Sequence, residues 1–182
     1  MKLENSDGEN YINDKWTNKK VYIEVVDGKD EGIYQSGHKE TLATIKKDGV
    51  TYLENIASYT LTEEGIYEIT VKTTVKAGNQ SDSSEIYTVK IDKTQPFSGT
   101  LNMKLEGPTG NDYTKNDWTN KNVYIEPEKW DDQGIYQSGS KTAIIEKIKN
   151  NGETYLENIT SYTLTEEGTY EITVKTIDDA GN

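Results

Sequence analysis

The sequence predicts an all-β chain folded as two copies of one slim sandwich module. Three observations predict this. Whole phrases recur at a fixed spacing, apolar and polar residues alternate in short runs, and glycine-bearing turn pairs separate those runs. Hydrophobic residues make up only 32% of the 182, below the ~45–50% usual in soluble domains. So few apolar side chains suit two thin cores better than one thick one. Tyr, present 13 times against a single Phe, can put its ring in a thin core and leave its hydroxyl wet.

The repeat sets the organisation. Met1-Lys-Leu-Glu4 returns as Met103-Lys-Leu-Glu106, Trp16-Thr-Asn-Lys19 as Trp118-Thr-Asn-Lys121, and Gly32-Ile-Tyr-Gln-Ser-Gly37 as Gly134 to Gly139. Further on, Thr51-Tyr-Leu-Glu-Asn-Ile56 returns as Thr154 to Ile159, and Ala77-Gly-Asn79 as Ala180 to Asn182. The offset grows from 102 to 103 between Gly139 and Thr154. One inserted residue is therefore expected in or beside a loop there, where insertions are tolerated. The predicted modules are residues 1–95 and 96–182, with a join around Pro96, which cannot donate to a ladder. Met1 matches Met103, which lies inside a module, so the chain is expected to start part-way through a longer array with its export signal upstream. Copy one continues past Asn79 to Asp92, whereas copy two stops at Asn182, so the second module is expected to lack its last strand.

Each strand follows from a period of two. Val21, Ile23 and Val25 alternate with Tyr22 and Glu24; Tyr59 and Leu61 flank Thr60. Tyr67, Ile69 and Val71 alternate with Glu68 and Thr70, and Tyr87, Val89 and Ile91 with Thr88 and Lys90. Copy two repeats the pattern at Tyr162 and Leu164 and at Tyr170, Ile172 and Val174, and the Ile-rich stretch from Thr142 to Lys149 reads as another strand. Asp27-Gly28, Asp48-Gly49, Glu64-Gly65, Gly78-Asn79 and Asn151-Gly152 supply the turns. About seven short strands in about 100 residues is the sandwich pattern.

Charge narrows the partners. The net charge is −12 and all 20 basic residues are Lys. A chain without Arg or a basic face is a poor partner for nucleic acid and for anionic membranes. No stretch approaches the ~18 apolar residues of a membrane helix, so no membrane insertion is expected. There is no Cys, and the one His, His38, is replaced by Ser140 in copy two. The usual nucleophile–base pairs are therefore missing, no catalytic residue is assigned, and no enzyme is predicted.

Several of these phrases together resemble a known family. They are Trp-Thr-Asn-Lys before a strand, the Gly-Ile-Tyr-Gln-Ser-Gly loop, Glu-Gly-x-Tyr-x-Ile-x-Val, Ala-Gly-Asn, and Ile91-Asp-Lys-Thr-x-Pro96. The set resembles the bacterial Ig-like repeats of secreted and cell-wall-anchored surface proteins. The resemblance spans nearly the whole chain, twice. It implies two tandem immunoglobulin-like β-sandwich domains outside the cell, as a stalk or accessory module of an adhesin or a polysaccharide-acting enzyme. It implies neighbouring Ig-like repeats as partners, with glycan or host protein as further candidates, and no catalysis. Copy two, with Asp178-Asp179 before Ala180, is nearer the Asp-x-Ala-Gly-Asn form of such repeats; copy one has Val75-Lys76 instead.

The candidate site residues follow. Trp16 and Trp118 read as caps over the sandwich end. Trp130, in the acidic loop Lys129-Trp-Asp-Asp-Gln-Gly134, is the best single contact residue. Tyr34 and Tyr136 read either as loop anchors or as a ligand surface; the anchor is the plainer reading. Tyr67 and Tyr170 follow Glu-Glu-Gly, where a tyrosine corner belongs. Asp131, Asp132, Asp178 and Asp179 are the candidate metal ligands, with calcium the one ion such acids suit. No EF-hand spacing is present. Solvated loop charge is the plain reading, and a calcium site between a loop and the linker is the functional one.

Overall fold

The computed structural model describes all of residues 1–182 and holds strands, turns and bends with no helix. No helix is therefore long and apolar enough to cross a membrane. The chain divides into two compact units, Met1–Lys93 and Thr94–Asn182.

Unit 1 contains β1 (Lys2–Leu3), β2 (Trp16–Thr17), β3 (Val21–Glu24), β4 (His38–Lys47), β5 (Val50–Ile56), β6 (Ser58–Leu61), β7 (Gly65–Val75) and β8 (Tyr87–Ile91). One sheet runs β1-β3-β6 and the other β2-β8-β7-β4-β5. All pairs are antiparallel except β2 with β8, where Trp16 lies against Lys90 and Thr17 against Ile91 in parallel. The inward residues of the pleat meet between the sheets. Val21, Ile23 and Leu61 come from one; Ala43, Ile45, Tyr67, Ile69, Val89 and Ile91 come from the other, and all are buried. Each such side chain contributes roughly 1.5–3 kcal/mol on leaving water.

Unit 2 contains β9 (Thr100–Leu105), β10 (Val123–Glu128), β11 (Ser140–Asn150), β12 (Glu153–Ile159), β13 (Tyr162–Leu164) and β14 (Tyr170–Asp178). Its sheets run β9-β10-β13 and β12-β11-β14. Val123, Ile125 and Leu164 face Ile145 and Ile148 across a smaller core.

The inserted residue is not in a loop. Ala43 pairs with Val71 as Ile145 pairs with Val174, and Thr44 pairs with Thr70 as Lys147 pairs with Thr173. Glu146 is the extra residue, and it forms a bulge inside β11. The bulge lets Ile145 and Ile148 both face the core although they are three apart; a plain strand would turn one outward. The strand absorbs the insertion because Glu146 can be left unpaired.

The turns are as local as the sequence suggests. Asp48 and Gly49 both take positive φ (52° and 80°), as do Asn151 and Gly152 (52° and 87°). That is the geometry that lets a two-residue hairpin match strand twist. The Asp48 carboxylate accepts from the Ile66 amide at 3.1 Å, and the Asn151 side-chain carbonyl from the Thr169 amide at 3.0 Å. The Tyr67 hydroxyl donates to the Glu63 carbonyl at 3.0 Å and that of Tyr170 to the Glu166 carbonyl at 2.9 Å. Both tyrosines thus pin the chain four residues back, as a tyrosine corner does.

β8 accounts for the largest difference between the units. In unit 1 it covers the outer edge of β7, and Tyr67 and Ile69 are buried. In unit 2 that edge of β14 carries no strand, and the matching Tyr170 and Ile172 are half-buried. Trp16 is half-buried, with the Lys90 ammonium 5.8 Å from its ring centre. Trp118 is 90% exposed, so it does not cap a core as its sequence position suggests; the strand it would lean on is absent.

Burial disfavours the Tyr67 phenolate and pushes its pKa up to about 12 from 10.0, with the nearby Lys47 ammonium partly opposing. Below pH 10 the phenol is protonated in folded and unfolded chains alike, and the folded state keeps its full stability. Between pH 10 and about 12 only the unfolded chain releases the proton, so stability falls as pH rises. Urea unfolding at stepped pH is expected to show unit 1 weakening across that window. Tyr67→Phe should flatten this ring's share of the slope while losing about 1 kcal/mol at neutral pH with the Glu63 bond.

Candidate functional site

Two kinds of loop carry the polar side chains singled out by sequence. The first runs from β3 to β4, and from β10 to β11 in unit 2, and includes Gly-Ile-Tyr-Gln-Ser-Gly. Its anchor is an aspartate and not the tyrosine. In unit 1 the Asp30 carboxylate accepts from the Gly37 amide at 2.7 Å and the Ser36 hydroxyl at 3.4 Å. In unit 2 the Asp132 carboxylate accepts from the Gly139 amide at 2.9 Å, the Ser138 hydroxyl at 3.4 Å and its neighbour Gln133's amide at 2.8 Å. Gln133 in turn donates to the Gln95 carbonyl at 2.6 Å. A short carboxylate closes a seven-residue loop well, because it accepts several backbone N–H bonds at once.

Tyr34 is therefore free to project, and it is 96% exposed beside Ile33 at 92%. It is not the anchor that its flanking glycines suggest. Tyr136 is half-buried, whereas Ile135 stays 90% exposed. Trp130 is 48% exposed; its indole N–H donates to the Thr100 hydroxyl at 3.2 Å, and its ring shares a shallow depression with Phe97, Lys129 and Asp131. One face of the ring is fixed and the other is available.

The second loop is the turn after β14. Asp178 is fully buried and accepts from the Gly181 amide at 2.7 Å, the Asn182 amide at 2.8 Å and the Asn182 side-chain NH₂ at 2.8 Å. Asp132 is also buried, and the two carboxylates bring oxygens within 4.8 Å of each other. Asp131 and Asp179 stand exposed outside this pair. Six hydrogen bonds spread over two carboxylates answer most of their charge and leave some oxygen lone pairs over. Oxygen donors of this kind suit a hard cation such as calcium. Two carboxylates supply at most about four of the six to eight oxygens calcium takes. Unit 1 has Asp30 but Val75 where unit 2 has Asp178, so it holds half of the arrangement.

Sequence reasoning passed over two features. Asp92, read as linker, is fully buried, and its amide donates to the Thr17 carbonyl at 3.0 Å. Thr41 is a buried hub whose hydroxyl meets the Gly28 amide at 2.9 Å, His38 Nε2 at 2.9 Å and the Thr73 hydroxyl at 3.1 Å. His38 Nε2 also lies 3.6 Å from Asp27. Thr, His and Asp thus meet, but one ring nitrogen serves both neighbours, whereas a proton relay needs one nitrogen for each. Only the pairing of β4 with β7 brings Thr41 to Thr73, and no local motif announces it.

An open groove in unit 1 is lined by Ile23, Val25, Ile69 and Val71 with the hydroxyl-bearing Thr73 and Ser84. No family model, curated protein or solved structure matches the chain.

Asp132→Ala leaves the Gly139 and Gln133 amides without their acceptor and is expected to destabilise unit 2 by about 1–3 kcal/mol. Asp30→Ala, at a half-buried position, should have the smaller effect. Chemical unfolding of each variant, with amide exchange at Gly139 and Gly37, checks this ordering.

Proposed function

We propose that this chain is a spacer: a pair of immunoglobulin-like modules of a bacterial surface or secreted protein, holding another functional part at a distance. Three things support the reading: the internal repeat, the two-sheet core in each unit, and the resemblance to bacterial Ig-like repeats.

The observation that carries it is the parallel pairing of β2 with β8 in unit 1. Tension along the chain enters at the amino end and leaves at the carboxyl end. It pulls β2 backwards and β8 forwards, along the strands and against each other. The rungs joining them, extended by the bond from the Asp92 amide to the Thr17 carbonyl, are then strained together in shear and not unzipped one at a time. Unit 2 has no such pair. In single-molecule pulling of the chain, two unfolding events are expected, with unit 1 the stronger. Unit 1 yielding at or below the force of unit 2 would remove the mechanical argument.

A second reading, a carbohydrate- or protein-binding accessory module, draws on Tyr34, Ile33 and Trp130, whose rings and alkyl groups face solvent on loops. Exposed aromatics on a rigid scaffold suit sugar faces or a protein partner. Glycan-array screening of the chain beside Tyr34→Ala and Trp130→Ala variants separates the readings. Retained glycans lost in either variant favour binding, and an array without signal favours the spacer over a glycan module.

A further inference from the structure

We infer that the outer edge of β14 in unit 2 is a receptor for one extended strand of the β8 type, bound antiparallel with alternating Tyr, Val and Ile turned inward. Unit 1 shows the same site filled. There, Gln80 to Ile91 runs along β7: Gln80 bridges Thr74, the Ser81 and Ser84 amides donate to the Thr73 and Val71 carbonyls at 2.9 Å each, and Tyr87, Val89 and Ile91 pair with Ile69, Tyr67 and Gly65. Val89 and Ile91 are fully buried.

Every receiving part of that site recurs in unit 2. β14 repeats β7 as Tyr170-Glu-Ile-Thr-Val174, with its outer edge unpaired. Tyr170 and Ile172 are half-buried where their unit 1 counterparts are closed over. Tyr11 accepts the Lys90 amide at 3.1 Å while donating to the Lys15 carbonyl; Tyr113 keeps the same donation, to the Asp117 carbonyl, with its oxygen still able to accept. Trp118 stands 90% exposed at the position from which Trp16 meets Lys90. Half-buried rings, an open ladder edge and a tyrosine acceptor together define a slot for a strand. The expected register sets Tyr87 against Ile172, Val89 against Tyr170 and Ile91 against Gly168.

The occupant is an extended segment not already held in a sheet. A second copy of this chain does not qualify, because its β8 is committed to its own unit 1, and moving it opens one edge to close another.

The test uses the full chain and a synthetic peptide of residues 80–92, with a control peptide carrying Val89→Asp and Ile91→Asp. The expected result is a saturable blue shift of tryptophan fluorescence, missing in the Trp118→Phe chain. The heat-unfolding step of unit 2 should also rise with peptide concentration in both chains. The control peptide should bind at least about a hundredfold more weakly, since it loses two buried apolar side chains. If Trp118→Phe does not fold, amide exchange on the unaltered chain decides: Val174 and Thr176 should gain protection with the peptide. No saturable shift, equal binding by the control peptide, or movement of the unit 1 step in place of unit 2 overturns the proposal.

Discussion

The pleat of the β-strand is the constraint on which this structure rests. With 32% hydrophobic residues, neither unit can stack apolar layers; each has one layer per sheet, supplied by every second residue. A slip of one position would turn a strand's whole contribution to the solvent. Glu146 shows how strict this is. One extra residue in β11 is extruded as a bulge, and Ile145 and Ile148 stay in the core on either side of it. The chain gives up a rung of its ladder and keeps the phase of its side chains, because a buried Ile is worth more than a single net hydrogen bond.

The two units serve as a control on each other. Tyr67 and Tyr170 have the same neighbours in sequence, the same bond four residues back and the same edge-to-face tyrosine partner, at 6.0 Å from Tyr52 and 6.3 Å from Tyr155. They differ in burial, and β8 is the element that one has and the other lacks. The same comparison holds for Trp16 and Trp118. Local sequence sets where these rings start, and the presence of a strand distant in sequence sets how far they are buried.

This division explains what the sequence made legible. Strand positions, the Asp48-Gly49 and Asn151-Gly152 hairpins and the tyrosine corners depend on neighbours within a few residues, and they stand where alternation and turn chemistry place them. The roles of Trp118, Tyr34 and the aspartates depend on what the fold carries to them. Asp132 and Asp178 are visible in sequence as acids, but only the fold shows that both are buried near each other while Asp131 and Asp179 are exposed. The alternation cannot report Thr41 as a hub either, since a buried Thr obeys the same period whether or not its hydroxyl has partners.

Divergence between the units gathers at one end of the module, and that location bears on function. Gly28, Thr41 and Val75 of unit 1 stand where unit 2 has Trp130, Ala143 and Asp178. In unit 1 these positions form a closed network, with the Thr41 hydroxyl bonded to the Gly28 amide and to Thr73. A side chain at Gly28 would come within 2.2 Å of the Thr73 hydroxyl, so the network requires glycine there. In unit 2, Ala143 removes the hub, the buried Thr176 hydroxyl loses its partner, and Trp130 occupies the place of the glycine. A lone buried hydroxyl costs about 1–3 kcal/mol. The sandwich core was kept constant while this end changed one polar network for an indole and a pair of buried acids. Were both units spacers alone, this end would have no reason to lose a satisfied hub. The exchange therefore marks the β10–β11 loop and the end of β14 as the part of unit 2 with a task of its own.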